Sequence, residues 1–457
     1  MTTVSDSWKT SAGQAYQIWQ AGVDAVLADR LVAETVTVDG QQLMFEDEPF
    51  DLAAIGRIAV VGGGKAAAAM AAGLETALGE QLCQSKQLHG WINIPDGTQR
   101  PLQWIHAHVA RPAGVNEPTQ AAADGTAEIL KIVADLEPND LCIALISGGG
   151  SALLTAPREG ITLDEKIAVT RWLSGAGANI EQLNTVRKQL SDVKGGRLLS
   201  ACKAANLVTL VISDVLGDPL DTIASGPTVA DSSTAADALA VLQQFDPQQQ
   251  LPASIYRVLA QPQLAPTDAT GCMNHLQVIG NNAAAVDGAG IRAEQLGYSH
   301  AMQSARQSEG QAEQVGEHLA KMALSMLRQP GPDCLISGGE PVVQLAPQAE
   351  RGRGGRNQQL VLAALGWLIQ HGELTSEERA RVTILSGGTD GEDGPTDAAG
   401  AFFNAEVWSR AEAQQLDWQD YLRRNDAYNF FKACGGLILT GPTNTNVCDV
   451  RVVTIAK

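Results

Sequence analysis

The sequence predicts an α/β fold in two domains, a large N-terminal domain on a parallel sheet and a smaller C-terminal α/β domain. Three observations carry this expectation. Short apolar runs at 58–61, 141–146 and 207–212 alternate with stretches of helical periodicity, the pattern of strands covered by helices on both faces. The 46 glycines gather in tight clusters, several of them directly after those runs. The chain, at 457 residues, is too long for one ordinary core.

Taken in order, residues 7–36 read as one long amphipathic helix, with Ile18, Ala21, Ala25, Val26 and Leu31 recurring near helical spacing. The strand at 58–61 runs into Gly62-Gly63-Gly64-Lys65 and an alanine-rich helix over 66–78. Further strands are expected at 91–94, 141–146 and 207–212, the last ending in Ser213-Asp214. A passage rich in Pro and Gln at 245–274 reads as the connection, which puts the domains at 1–255 and 275–457. Beyond it, 277–279 leads into Gly280-Asn281-Asn282 and a helix, 334–336 into Ser337-Gly338-Gly339-Glu340, and 382–385 into Ser386-Gly387-Gly388-Thr389-Asp390. Ser-Gly-Gly thus follows a buried strand at 147, 337 and 386. Such strand ends present bare backbone N–H groups where ligands of open α/β sheets bind.

Charge narrows the function classes. A net charge of −19 argues against nucleic acid and against an anionic membrane surface, both of which need Lys and Arg. No apolar run of about 18 residues marks a membrane span. The opening MTTVSDSWKT lacks a basic stretch followed by an apolar one, so no secretory signal is expected. The seven cysteines form no CxxC pair or zinc spacing and read as reduced thiols of a cytoplasmic protein.

The glycine clusters carry the chemistry. Gly63, Gly64 and Lys65 open a helix, where backbone donors and the helix dipole attract anions. This is not a P-loop, because positions 59 and 66 are both Ala. Gly62, Gly64 and Ala67 do satisfy GxGxxA, the weaker dinucleotide fingerprint of Rossmann-like domains, but a lysine there suits a mobile phosphoryl group. Ser147-Gly148-Gly149-Gly150-Ser151 can cradle an anion; GxSxG is absent, which excludes the common hydrolase elbow. Arg187, Lys188, Lys194 and Arg197 bring four cations into eleven residues of an acidic chain, either as a solvated helix face or as a charge site beside Gly195-Gly196. Asp214 stands at a strand end, placed to hold Mg²⁺ or to accept a substrate proton. Arg351 to Gln358 joins arginines and glycines at the start of an apolar helix, and Arg356 can grip a carboxylate or phosphate with two parallel bonds. Asp390, Glu392, Asp393 and Asp397 crowd four acids into eight residues, a candidate Mg²⁺ or nucleotide contact.

Together these segments resemble the class II glycerate kinases, whose C-terminal domain is named the multi-organism fragment with rich leucine. The matching stretches are GGGKAAAAMA, ISGGGSALL, NTVRKQLSDVKGG, ISDVLGDPLDTIASGPT, GNNAAAVDGA, SGGEPVV, GRGGRNQQL, SGGTDGEDGPTDAAGA and NDAYNFF followed by LTGPTNTNV, in family order from about residue 60 to 450. The resemblance implies a Rossmann-like N-terminal domain and an active site in the interdomain cleft. It implies transfer of the ATP γ-phosphoryl to a hydroxyl of D-glycerate with a divalent metal, usually giving 2-phosphoglycerate. The resemblance implies that Lys65 and Arg356 are catalytic, and the reading of the residues adds Asp214 as a catalytic candidate that holds Mg²⁺ or orients the hydroxyl. Gly63, Gly64, Ser147, Gly148, Gly149, Gly150, Ser151, Asn282, Gly338, Glu340 and Asp390 contact the nucleotide, and Asp214 and Asp390 are candidates for Mg²⁺. The small-molecule substrates are the expected partners, and a homodimer is compatible with the sequence. Where many members carry a His-Pro-x-Pro-Asp-like segment, this chain has His108-Val109-Ala110-Arg111-Pro112-Ala113-Gly114. Members have also been labelled hydroxypyruvate reductases, and the GxGxxA match makes NAD(P)-dependent reduction the alternative.

Overall fold

The computed structural model describes residues 11–112, 115, 117–261 and 271–457. The expected lack of a signal segment concerns residues 1–10, outside this set. No helix among the described residues is long and apolar enough to cross a membrane. The chain forms two compact units, one of Ala28–Ile279 and one joining the residues up to Leu27 with Gly280–Lys457.

The N-terminal unit carries a small antiparallel sheet of β1 (Val36–Asp39), β2 (Gln42–Phe45) and β3 (Glu48–Asp51). Its main sheet holds β4 (Ile58–Gly63), β5 (His89–Pro95), β6 (Ile105–Arg111), β7 (Leu141–Ile146), β8 (Asn206–Ile212) and β9 (Met273–Gly280), in the order β6-β5-β4-β7-β8-β9. From β6 to β8 every pairing is parallel. Every residue of β4 and β7 is buried, as expected where helices cover both faces of a parallel sheet. The chain winds outward from β4 through β5 and β6, then returns to β7 on the other side. The gap between the carboxyl ends of β4 and β7 is therefore the topological switch point. A second core, around Leu173, Val186, Leu242 and Ile255, fills the space among the helices Leu163–Gly175, Ile180–Gln189, Ala235–Phe245 and Ala253–Ala260. The last of these lies inside the Pro- and Gln-rich passage. That passage is thus no simple connection: Ile255, Val258 and Leu259 are buried core residues, and the unit boundary falls at 279–280.

The C-terminal unit has a mixed sheet of β10 (His300–Ser304), β11 (Cys334–Gly339), β12 (Val382–Gly388), β13 (Gly400–Phe403), β14 (Leu437–Ile438) and β15 (Asp449–Ile455), ordered β10-β11-β15-β12-β13-β14. Only β10 and β11 pair in parallel; β15 runs antiparallel between β11 and β12. The helix Arg356–His371 is buried at nearly every position from Asn357 to Leu368 and packs on Ala312–Arg328.

The single helix expected over 7–36 is two. The first, α1 (Ser11–Asp24), packs on the helix Asn282–Gln295, on β12 and on β15, while α2 (Ala28–Thr35) packs on α3 (Ala67–Ser85). Apolar periodicity continues through the break because both helices bury a face, each in a different unit. Trp19 of α1 is wholly buried and its indole donates to Gly387 O at 3.1 Å. Trp19→Ala is expected to cost about 3–5 kcal/mol, read from chemical denaturation. Hydrogen-exchange protection should fall in β12 and Asn282–Gln295 and stay unchanged in β4 and β7.

Candidate functional site

Two glycine-rich ends meet at the switch point of the N-terminal sheet. The Lys65 amide donates to Gly148 O at 2.8 Å and the Ser147 amide to Gly63 O at 3.4 Å. Ser147 Oγ, fully buried, accepts from the Ala66 amide at 3.0 Å and so caps the first turn of α3. A Cβ on Gly64 would stand 2.1 Å from that hydroxyl, so no other residue fits. Of the expected cradle, then, Gly63, Gly64, Lys65, Ser147, Gly148, Gly149 and Gly150 come together. The Ser147 side chain, however, holds the loop rather than facing a ligand. Gly149 takes φ +75°, and a Cβ there would lie 3.0 Å from Arg111 Nη2 and 3.6 Å from Lys65 Cγ. One glycine thus sits beneath two cationic side chains, from the ends of β4 and β6 on either side of β5. Arg111, at the end of β6, was missed by sequence reasoning; the signal was a cation closing a strand in the divergent 106–114 segment, of which Ala113 and Gly114 lie outside the described residues.

Ser151 shares a hydrogen bond with Ser225 at 2.9 Å, and Ser225 donates to Asn184 Oδ1 at 3.2 Å. Ala224 and Ser225 are held at φ +50° and +62°, strain of the kind that collects at functional sites. Asp214 lies just past β8, half-buried at the same carboxyl edge.

In the C-terminal unit the charges converge on Asp449. It is the register partner of both Gly339 and Gly388, its side chain is wholly shielded, and Arg356 grips it through Nε at 2.7 Å and Nη2 at 2.9 Å. Arg356 Nη1 meets Glu340 at 3.0 Å. Burial works against the guanidinium charge, but Asp449, Glu340 and Asp393 hold its pKa above the ordinary value. Asp390 Oδ1 accepts from the Glu392 amide at 3.1 Å. Asn282 spends its amide on structure: Nδ2 donates to Val447 O at 2.9 Å and Asp449 O at 3.0 Å, and Oδ1 accepts from Ser304 at 2.7 Å. Gly338 makes room for it, since a Cβ would stand 1.9 Å from Asn282 Oδ1.

The helix N-terminus at Arg356 is not open to a ligand anion as the sequence suggested. Asp393 already occupies it, accepting from the Asn357 amide at 3.0 Å and the Gln358 amide at 2.8 Å. Burial pushes this carboxyl up to about 7 against the pull of those amides. Of the other acids in its loop, Asp397 accepts from Tyr428 Oη at 2.7 Å. Among the described residues no group of three or more His, Cys, Asp or Glu is gathered to hold a metal. Single carboxylates such as Asp214 and Asp390 fit Mg²⁺, which takes one or two acids along with phosphate oxygens and water. Asp393→Ala leaves two buried amides without an acceptor and is expected to cost about 1–3 kcal/mol, checked by urea denaturation.

Known proteins resemble this chain in sequence and in fold over nearly its whole length. Residues 14–260 match the domain of unknown function DUF4147, and residues 333–449 match the MOFRL family. A glycerate kinase of Rattus norvegicus is 36% identical, with 97% of this chain and 92% of the relative covered. A protein of Agrobacterium vitis that carries the name hydroxypyruvate reductase is 38% identical over 88% of this chain and its own full length. The crystal structure of a glycerate kinase from Thermotoga maritima superposes with a TM-score of 0.80 at 35% identity, covering 97% of this chain and 99% of that one. With both domains matched in order and the relatives aligned over nearly their whole length, this chain belongs to the glycerate kinase family.

Proposed function

We propose that this protein transfers the γ-phosphoryl of ATP to the 2-hydroxyl of D-glycerate, giving 2-phosphoglycerate. The observation that carries the reading is the pair of cations, Lys65 and Arg111, over Gly149 at the switch point of the parallel sheet. Phosphoryl transfer needs little covalent help from the protein; it needs positioning and positive charge on the transferring group. Lys65 is the group proposed to face that charge, with the Gly148–Gly150 backbone beside it.

Arg356 is proposed to hold an anionic group of a substrate. Its Nε–Nη2 edge stays on Asp449, whose side chain is shielded, while Glu340, 42% exposed at its side chain, is the contact that can yield. Exchange of Glu340 for a substrate carboxylate or phosphate keeps the guanidinium fixed and leaves Nη1 to bind. Asp214 in the N-terminal unit and Asp390 in the C-terminal unit are each proposed as a candidate to hold Mg²⁺, which when bound neutralises phosphate charge, or to orient the glycerate hydroxyl and take its proton.

The alternative, NAD(P)-dependent reduction of hydroxypyruvate, has one favourable observation. The strand order matches a dinucleotide-binding sheet, and Asp96 follows β5, the neighbour of β4. Asp96 is engaged locally, accepting from the Gly97 amide and from Gln99 at 2.9 Å each, and the lysine after the glycines favours the kinase.

A ³¹P NMR spectrum of the product from D-glycerate and ATP tests activity and position together, with the 2-phosphate resonance expected. Lys65→Ala and Arg356→Ala should each lower kcat by about 10²–10³. Near-native turnover in Lys65→Ala would remove that residue from the mechanism, and robust NADH oxidation with hydroxypyruvate would reverse the ranking.

A further inference from the structure

The cationic segment noted in the sequence is not a solvated face. Lys188 and Lys194 are buried, and Arg187 and Arg197 are half-buried. Their charges are not equally balanced. Lys188 meets Asp221 at 3.1 Å and Asp231 at 3.7 Å, and Arg197 donates to Lys188 O at 2.9 Å and Lys194 O at 3.1 Å. Lys194, 1% exposed, has only carbonyl partners among the described residues, Ser151 O at 2.8 Å and Ala224 O at 3.4 Å. Arg187 makes no hydrogen bond or ion pair among the described residues. Lys166, reaching the cluster from the helix Leu163–Gly175, is 4% exposed and its ammonium has no hydrogen-bond partner among the described residues.

These groups sense one another. Burial first, then Arg187, pushes Lys166 down to about 7, and burial, Arg187 and Lys166 push Lys194 well below its usual value. The acid within reach of Lys166 is Asp192, which is exposed and already pairs with Arg158 at 3.5 Å. Positive charge withdrawn from water without a counter-charge is costly, and the two lysines are shifted towards their neutral form as a result; an anion beside them would favour their charged form. Lys194 joins the cluster to Ser151 at the end of the glycine loop and to Ala224 of the strained turn, at the carboxyl edge of the parallel sheet.

We infer that Lys166, Arg187 and Lys194 form a subsite for a small oxyanion beside the Ser147–Ser151 loop. Its ligand class, the carboxylate of a hydroxy acid or the phosphates of a nucleotide, rests on the kinase reading above; the existence of the subsite does not. Bound there, an oxyanion takes two parallel bonds from the Arg187 guanidinium and a charge-assisted bond from the Lys166 ammonium.

The test uses the full chain and needs no turnover, so failure of the kinase reading leaves it intact. Amine labelling of Lys166 by acetic anhydride, followed by mass spectrometry, is compared with and without saturating D-glycerate, inorganic phosphate or ATP. Protection of about fivefold or more is expected, and Arg187→Gln should raise the calorimetric Kd of the protecting anion about tenfold. Protection by glycerate and not phosphate assigns the carboxylate; protection by phosphate and ATP assigns the phosphoryl end. Labelling unaffected by all three anions overturns the subsite, whether or not the variant folds.

Discussion

Main-chain contact between the ends of β4 and β7 sets the geometry of the N-terminal unit. A Cβ on Gly62 would stand 2.0 Å from Leu145 O, and one on Gly64 would strike Ser147. With glycine at both positions the two strand ends can run together, the Lys65 amide reaches Gly148 O, and Ser147 reaches the first turn of α3. The Lys65 backbone is therefore fixed by hydrogen bonds from within the protein itself. That is the preorganisation an electrostatic catalyst needs, because donors already in place do not reorganise as charge develops.

The C-terminal unit solves a different problem, that of keeping charge inside a small core. Asp449 is fully shielded between two glycine strand ends and is tolerated because Arg356 meets it with a bidentate fork. Arg451, 1% exposed, is likewise matched by Glu309 at 2.8 and 2.6 Å. In this unit Asp449 and Arg451, both deeply buried, thus stand paired. By the same rule Asp393 fills the helix end at Asn357 and Gln358, and the glycines before Arg356 serve close approach: a Cβ on Gly355 would stand 2.3 Å from the Asp393 carboxyl.

Much of this was legible in the sequence, for physical reasons that also explain the gaps. β4, β7 and β8 read clearly because a strand covered on both faces is a continuous apolar run. β15 did not, since DVRVVTI carries Asp449 and Arg451 on a buried strand, and only their distant partners make that possible. The break between α1 and α2 has neither Gly nor Pro, and its cause is a change of packing partner. Glycine clusters pointed rightly to the strand ends. Whether a given glycine serves a ligand or a neighbour such as Asn282, Ser147 or Asp393 depends on contacts across long sequence separations, as does the pairing of Lys188 with Asp221 and Asp231.

The position of β15 bears on how the chain acquires its shape during synthesis. It follows every other strand of its sheet in sequence, yet it is the piece to which both β11 and β12 bond. Until it leaves the ribosome, those two strands have no common partner and expose open edges. Such a nascent chain carries unpaired strand edges of the kind that favour association, and closure of the sheet is a late, non-local event of the slow kind.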